Sequence, residues 1–270
     1  MFITLSLIGF IIVIFITGKI NALFKFRKQV KRLFSESESV SNLKFSKEEI
    51  KNLPEPVKKY FNYILKEGQP YISFVRIKHD GLFKAGLEKD WMDIKGEQYA
   101  TTGKPGFIWK GTTRWFTARD MFISGKGRLI VSLLDLIQIL DGKGRTYDQG
   151  ELLRWLGESI LYPTNLLPND RLKWFPIDDS TAELRFSYKG LSLFFTIRFN
   201  ETGEITEMET KRYMDLKTLE TWLIKVGNYK ELNGIIIPTT FEVLWRLAKG
   251  DFSYAKFNIT EIEYDKPELF

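Results

Sequence analysis

Residues 182–214 read AELRFSYKGLSLFFTIRFNETGEITEMETKRYM. Three strand-like runs lie here, separated by Lys189-Gly190 and by Asn200 to Gly203. Breaks this short admit hairpins and leave no room for the crossover helices that parallel strands need. The stretch therefore reads as antiparallel sheet, and the same grammar extends in both directions. Upstream, FVRIKHDGLFK (74–84) alternates, with Asp80-Gly81 as a turn or bulge, and WMDIKGEQYAT (91–101) alternates again. GFIWKGTTRW (106–115) follows Gly103-Lys104-Pro105, and DMFISGKGRLIVSLL (120–134) is two runs hinged at Gly125-Lys126-Gly127. Downstream, residues 222–247 and 252–264 complete a series of about ten strands with few intervening helices, a large antiparallel meander. Long strands that carry aromatic residues on both faces predict a strongly curved sheet or open half-barrel with something tucked inside it. The long non-strand segment Leu133 to Leu167 is the natural plug or lid.

Within that segment, QGELLRWLGESILYPTNLLP (149–168) carries a short helix pattern that stops at Tyr162-Pro163. Leu152, Leu153, Leu156 and Ile160 fall on one face, and Glu151, Arg154 and Glu158 on the other, with Trp155 and Tyr162 at the border. The charged stripe has two readings. It is either a solvated ladder of i,i+3 and i,i+4 pairs, or a polar cluster turned into the concavity of the sheet. In the second case Glu151 and Glu158 could serve as acid and base, or hold the polar end of a ligand.

Pieces of this stretch, Gly150-Glu151-Leu152-Leu153-Arg154-Trp155-Leu156-x-Glu158 and Tyr162-Pro163-Thr164-x-Leu166-Leu167-Pro168, resemble the signature of a bacterial and archaeal family, the DUF6544/DUF6920 group of unknown function. Pro56-Val57-x-x-Tyr60-Phe61, Gly68-Gln69-Pro70, Val75-Arg76, His79-x-Gly81 and Pro238-Thr239 belong to the same resemblance, which runs from about Pro54 to Tyr264. It implies a fold unit without an activity. The strand-rich pattern with inserted helices is also similar to LolA/LolB-like half-barrels that hold lipid chains, which implies an extracytoplasmic domain.

Charge and composition bound the function. The chain has 270 residues, 44% of them hydrophobic and 15% aromatic, enough for a sizeable core. It has no cysteine, which excludes disulfides, thiolate metal sites and thiol nucleophiles. The net charge of +6 is local: Lys19 to Arg32 holds six basic side chains and no acid, so residues 33–270 balance 34 basic against 34 acidic side chains. A neutral domain lacks the basic footprint of nucleic-acid binding. Phe2 to Gly18 is almost wholly apolar and reads as an uncleaved transmembrane anchor, with no basic start or small-residue cleavage site to mark a signal peptide. The positive charge after it places the domain in the cytoplasm by the positive-inside tendency, against the half-barrel resemblance, and both placements stay open.

The organisation expected is an anchor with basic flank over 1–26, a juxtamembrane linker over 27–45 that includes the acidic spacer SESESVS, and one β-rich domain over 46–270. That domain opens with a docking helix. Ser46 with Glu49 forms a capping box, and Val57, Tyr60, Phe61, Ile64 and Leu65 recur at helical spacing up to Gly68. The fold class is thus α+β, mostly antiparallel β, a curved meander or open half-barrel with a helix lid plus one N-terminal transmembrane helix.

Two functions lead, with a scaffold that contacts partner proteins through an exposed sheet edge as the third. The first is a membrane-anchored module that binds a lipid or other hydrophobic molecule, with Trp109, Trp115, Trp155 and Tyr162 as wall candidates. The second is a hydrolase that uses Glu151, Arg154 and Glu158, with His79 beside them. His79 is the only histidine, which fits a structural strand residue better than a zinc ligand or a triad member. Gly125-Lys126-Gly127 and Gly142-Lys143-Gly144 lack phosphate-loop spacing and read as hairpin turns, as does Asp178-Asp179. No metal or cofactor is expected, and the expected partners are the bilayer and a hydrophobic small molecule.

Overall fold

The computed structural model describes residues 2–270, with side chains described at residue 13 and from residue 15 onward. Helix α1 (Phe2–Ser35), a 3-10 turn at Lys47–Ile50 and helix α2 (Glu55–Ile64) precede the first strand. The strands β1 (Phe74–Phe83), β2 (Met92–Thr101), β3 (Gly106–Thr112), β4 (Phe116–Ile123), β5 (Lys126–Leu133) and β6 (Ile137–Lys143) then step outward as antiparallel neighbours to one edge. The chain crosses to the opposite edge through α3 (Arg145–Glu158) and 3-10 turns at Ser159–Leu161 and Pro163–Leu166. From that edge β7 (Leu172–Asp178), β8 (Thr181–Tyr188), β9 (Leu191–Phe199), β10 (Ile205–Tyr213), β11 (Leu219–Leu232), β12 (Ile235–Leu247) and β13 (Gly250–Tyr264) step back inward. β13 pairs with β1 and joins the two meanders into one open antiparallel sheet, thirteen strands among the described residues.

Strand β6 falls inside the stretch expected to hold no strand. All but one of its residues are exposed, so an edge strand here leaves no alternation in the sequence to read. Gly144, directly before α3, also means that Gly142-Lys143-Gly144 leads into a helix and is no hairpin turn. Bulges at Lys78/His79, Val131/Ser132 and Val243/Leu244 bend the strands, as an extra residue on one strand of a pair must.

The crossover is held inside the curve. Trp155 Nε1 donates to the Thr101 carbonyl at 2.9 Å, Trp174 Nε1 to the Leu166 carbonyl at 2.9 Å and Tyr264 Oη to the Leu161 carbonyl at 2.7 Å. The segment is therefore a fixed plug and not a lid. Its leucines join α2 and the concave face of the sheet in the main hydrophobic core. The capping box at Ser46 is present, and the α2 residues expected to dock are buried.

The stretch 27–45, expected as a linker, is helical as far as Ser35. Phe26, Val30, Leu33 and Phe34 are buried against Tyr99, Ile108, Met121 and Ile130 on the convex face, a second core on the other side of the same strands. Basic residues at 27, 28, 31 and 32 masked this spacing, because they face solvent between the apolar positions. The spacer that follows is tied down, with the Val40 amide donating to Ser73 Oγ at 2.8 Å. Among the described residues no helix is long and apolar enough to cross a membrane. The anchor expected over Phe2 to Gly18 falls for the most part outside the residues whose side chains are described.

Because Leu33 is inserted between helix and sheet, Leu33→Ala should cost about 2–5 kcal/mol in urea unfolding of the protein. Leu23→Ala, nearly three turns away on the exposed face of the same helix, should change stability by no more than about 0.5 kcal/mol.

Candidate functional site

Helix α3 lies across the concave face with both of its sides covered, so the charged stripe is no solvated ladder. Glu151 is buried, and Arg154 and Glu158 are largely so. Arg154 is the hub. Its Nε donates to Glu158 Oε1 at 2.8 Å, one of its terminal nitrogens donates to Asp120 of β4, and its guanidinium carbon sits 4.5 Å from the Trp109 ring centroid. Gln98 of β2 closes the ring by donating to Glu158 Oε2 at 2.7 Å. Burial works against the Arg154 charge, but Glu158, Asp120 and Glu151 outweigh it and hold the guanidinium protonated.

One turn earlier the pairing is incomplete. Arg212 of β10 approaches Glu151 Oε1 at 3.7 Å, an ion-pair distance too long for a hydrogen bond. Glu151 Oε2, Arg212 Nε and Asp120 Oδ1 are buried without a partner. The cluster holds three carboxyl groups and two guanidinium groups, so one extra proton balances it. Glu151 is where that proton sits: burial first, then the Asp120 charge, push its carboxyl up to about 8, against the pull of Arg212 and Arg154.

His79 faces the same space from β1. Trp109 Nε1 can only donate, and it does so to His79 Nε2 at 2.8 Å, so this nitrogen carries a lone pair and the ring proton is on Nδ1. Burial, aided by the Arg154 charge, lowers the imidazole pKa to about 4. A neutral ring whose basic nitrogen is already engaged is a structural group and a poor general base. Gly96 makes room for it, since a Cβ there would collide with the imidazole.

Between α3 and the sheet a cavity of about 580 Å³ remains open. Glu151, Arg154, Glu158 and His79 all border it, as do Asp120, Gln98 and Arg212. The rest of the wall is largely apolar and includes Trp222, whose ring lies against Arg212, with Phe241, Trp245 and Tyr254. Of the wall residues expected from the sequence, Trp109 is in place. Trp155 and Tyr162 are core: both are buried, and the Tyr162 hydroxyl donates to the Trp155 carbonyl at 3.1 Å. Trp115 sits in the turn before β4 and is 58% exposed. No local signal distinguished Trp222, Trp245, Asp120 or Arg212 from other strand residues, because only the pairing of distant strands brings them to α3. Among the described residues no group of His, Asp and Glu side chains could hold a metal ion.

Residues 43–257 match a family described as a "Family of unknown function (DUF6544)". The chain belongs to that family. Among solved structures, this DUF6544 member is similar to a LolA superfamily protein from Nitrosomonas europaea, with a TM-score of 0.43 and 11% identity over 78% of this chain and 92% of that one. It is also similar to a putative outer membrane lipoprotein-sorting protein domain from Vibrio parahaemolyticus, with a TM-score of 0.40 and 10% identity over 72% and 86% of the two chains. Both likenesses are too distant to bear on ligand or function. No curated protein matches the sequence.

The Glu151 proton gives a pH dependence of definite sign. A carboxyl whose folded-state pKa is raised contributes stability that is complete at low pH and is lost as pH rises toward about 8. His79, with its lowered pKa, acts in the opposite sense below about 6.5. From pH 6.5 to 8 the Glu151 effect therefore stands alone. Over that window the wild-type domain should lose stability relative to Glu151→Gln, by at most about 1.4 kcal/mol per pH unit, in parallel denaturation series. Parallel curves for the two proteins would remove the buried proton.

Proposed function

We propose that this protein is a membrane-tethered module that binds an amphiphile, with the apolar part of the ligand between α3 and the concave sheet and its polar end at the Glu151–Arg154–Arg212 cluster. The observation that carries this reading is the cavity of about 580 Å³, whose wall is largely apolar and is bordered at one place by Glu151, Arg154 and Arg212. Its size is that of ordinary small-molecule sites, about 300–1,000 Å³. An empty apolar space this large costs packing energy in a protein interior, and a guest that fills it restores the lost contacts.

The chemistry of the polar end narrows the class. With Glu151 protonated the cluster carries two guanidinium groups against two carboxylates, so it is near neutral and selects no strong anion. The residues that border the cavity there offer both carboxyl oxygens and guanidinium N–H groups, which suits a head group that both donates and accepts, such as a hydroxyl or an amide. The tether is the apolar run Phe2 to Gly18, with Lys19 at its end able to reach the head-group layer.

A second reading keeps Glu151 as a general acid, since a buried carboxyl with a raised pKa beside a cavity is the signature of such a group. Against it, Asp120 and Glu158 are both engaged by Arg154, and Trp109 occupies the basic nitrogen of His79.

Titration with a fluorescent-labelled monoacylglycerol should give saturable binding. Ala118→Trp, which fills the cavity from β4, should weaken that binding about tenfold while leaving the circular dichroism unchanged. Absence of uptake by the wild-type protein would sink the binding reading. In the same samples, turnover of a p-nitrophenyl ester that Glu151→Gln abolishes would favour the hydrolase.

A further inference from the structure

The path of α1 relates the cavity to the membrane. Its C-terminal end is fixed at one end of the strands, where Glu36 accepts from Ser124 in the β4–β5 turn and Ser37 Oγ accepts from the Lys104 amide in the β2–β3 turn at 3.3 Å. Midway, Gln29 Oε1 accepts from Arg119 of β4 at 3.2 Å. At Gly18 the helix packs on Leu136 in the β5–β6 turn so closely that a Cβ would collide with it. The helix thus climbs the convex face and leaves the sheet at the opposite end of the strands. The apolar run of the sequence lies ahead of that point, and Val13, Ile16 and Ile20 are already exposed there.

The β1–β2, β3–β4 and β5–β6 turns lie at that same end of their meander, and the cavity border brings the β10–β11 turn beside them. The cavity opens there: its border includes Ala85 after β1, Ile139 and Leu140 of β6, and Met214 and Asp215 after β10. These turns are greasy where surface turns are ordinarily polar. Leu87, Trp115, Leu134, Ile137 and Leu216 are exposed, Ile137 by 61% and Leu216 by 65%. The turns at the other end are polar, among them Asp179-Ser180, Asn200 to Gly203 and Asn233-Gly234. Lys19 stands one residue from the level of the rim, with its Nζ 4.7 Å from the Phe15 ring centroid, where a charged head can reach the interface beside an aromatic ring.

We propose that the rim of the cavity is a membrane-docking surface: the β3–β4, β5–β6 and β10–β11 turns dip into the interfacial layer of the bilayer that holds α1, and the cavity mouth faces the lipid. The occupant is a lipid surface, because the segment that continues past the rim is the apolar N-terminus of the same helix that packs on it. This rests on the tether and the ligand cavity proposed above, and it adds a route. An apolar ligand would pass between bilayer and cavity without crossing water, and the exposed turns would be shielded without a protein partner.

The absence of native cysteine makes the test direct. Ile137→Cys and Leu216→Cys at the rim and Thr202→Cys at the far end each take one nitrobenzoxadiazole label. The full chain is reconstituted into vesicles of phosphatidylethanolamine and phosphatidylglycerol, and aqueous iodide is the quencher. The rim labels should emit to the blue of the Thr202 label and show several-fold lower quenching. Equal quenching at all three positions, or protection of Thr202 alone, overturns the orientation. Monoacylglycerol binding with wet rim labels would defeat the docking and spare the cavity; dry rim labels with no binding would defeat the cavity function and leave the docking.

Discussion

The buried guanidinium of Arg154 is the constraint around which the molecule is arranged. A charge so placed is tolerable only while its partners are held in position, and those partners come from α3, β4 and, through Gln98 and Glu158, β2. That network fixes the polar side of α3 by directed bonds, while Leu152, Leu153 and Leu156 pack its other side into the main core. Part of the concave face beside the network is left as the cavity, which Trp222 and Trp245 border. A leucine in place of Arg154 would let helix and strands collapse together. The arginine keeps both the distance and the polar end of the chamber.

The incomplete half of the same cluster gives the chamber its chemistry. Arg212 is stacked at 4.5 Å from the Trp222 ring centroid and lies beyond hydrogen-bond reach of Glu151, so neither group saturates the other. Evolution of a purely structural cluster would be expected to close such a gap, since each buried unpaired polar atom costs about 1–3 kcal/mol. These atoms have almost no accessible surface, so a guest with donor and acceptor atoms relieves the penalty only by re-aiming the side chains that carry them.

Much of this architecture was legible in the residues. Short Gly- and Asn-bearing breaks across residues 182–214 dictate hairpins, and hairpins of that length bring an antiparallel sheet with them. The segment with Glu151, Arg154 and Glu158 stood out as the one charged helix in the middle of a strand series, and all three side chains border the cavity with His79. What could not be read were facts of strand order. β1 meets β13 and α3 spans the sheet, and this pairing alone carries Asp120, Arg212, Trp222 and Trp245 to one place. Periodicity also misled where its premise failed. The helix pattern assumes one wet face, which α3 does not have, and it sets no limit to an apolar segment whose continuation, Phe26 to Phe34, is buried among lysines and arginines.

The helix on the convex face and the chamber on the concave face are two uses of the same alternating strands. Tyr99 and Ile108 point to α1 while their neighbours Gln98 and Trp109 point to the cavity, so the helix and the pocket share one layer of strands. The central claim is that this inner space is built for a guest. Mass spectrometry of organic extracts from the full chain, purified in mild detergent, tests it most directly. The account predicts one amphiphile class near equimolar with the wild-type protein and depleted in Ala118→Trp. Equal trace amounts of bulk lipid in both extracts would contradict it.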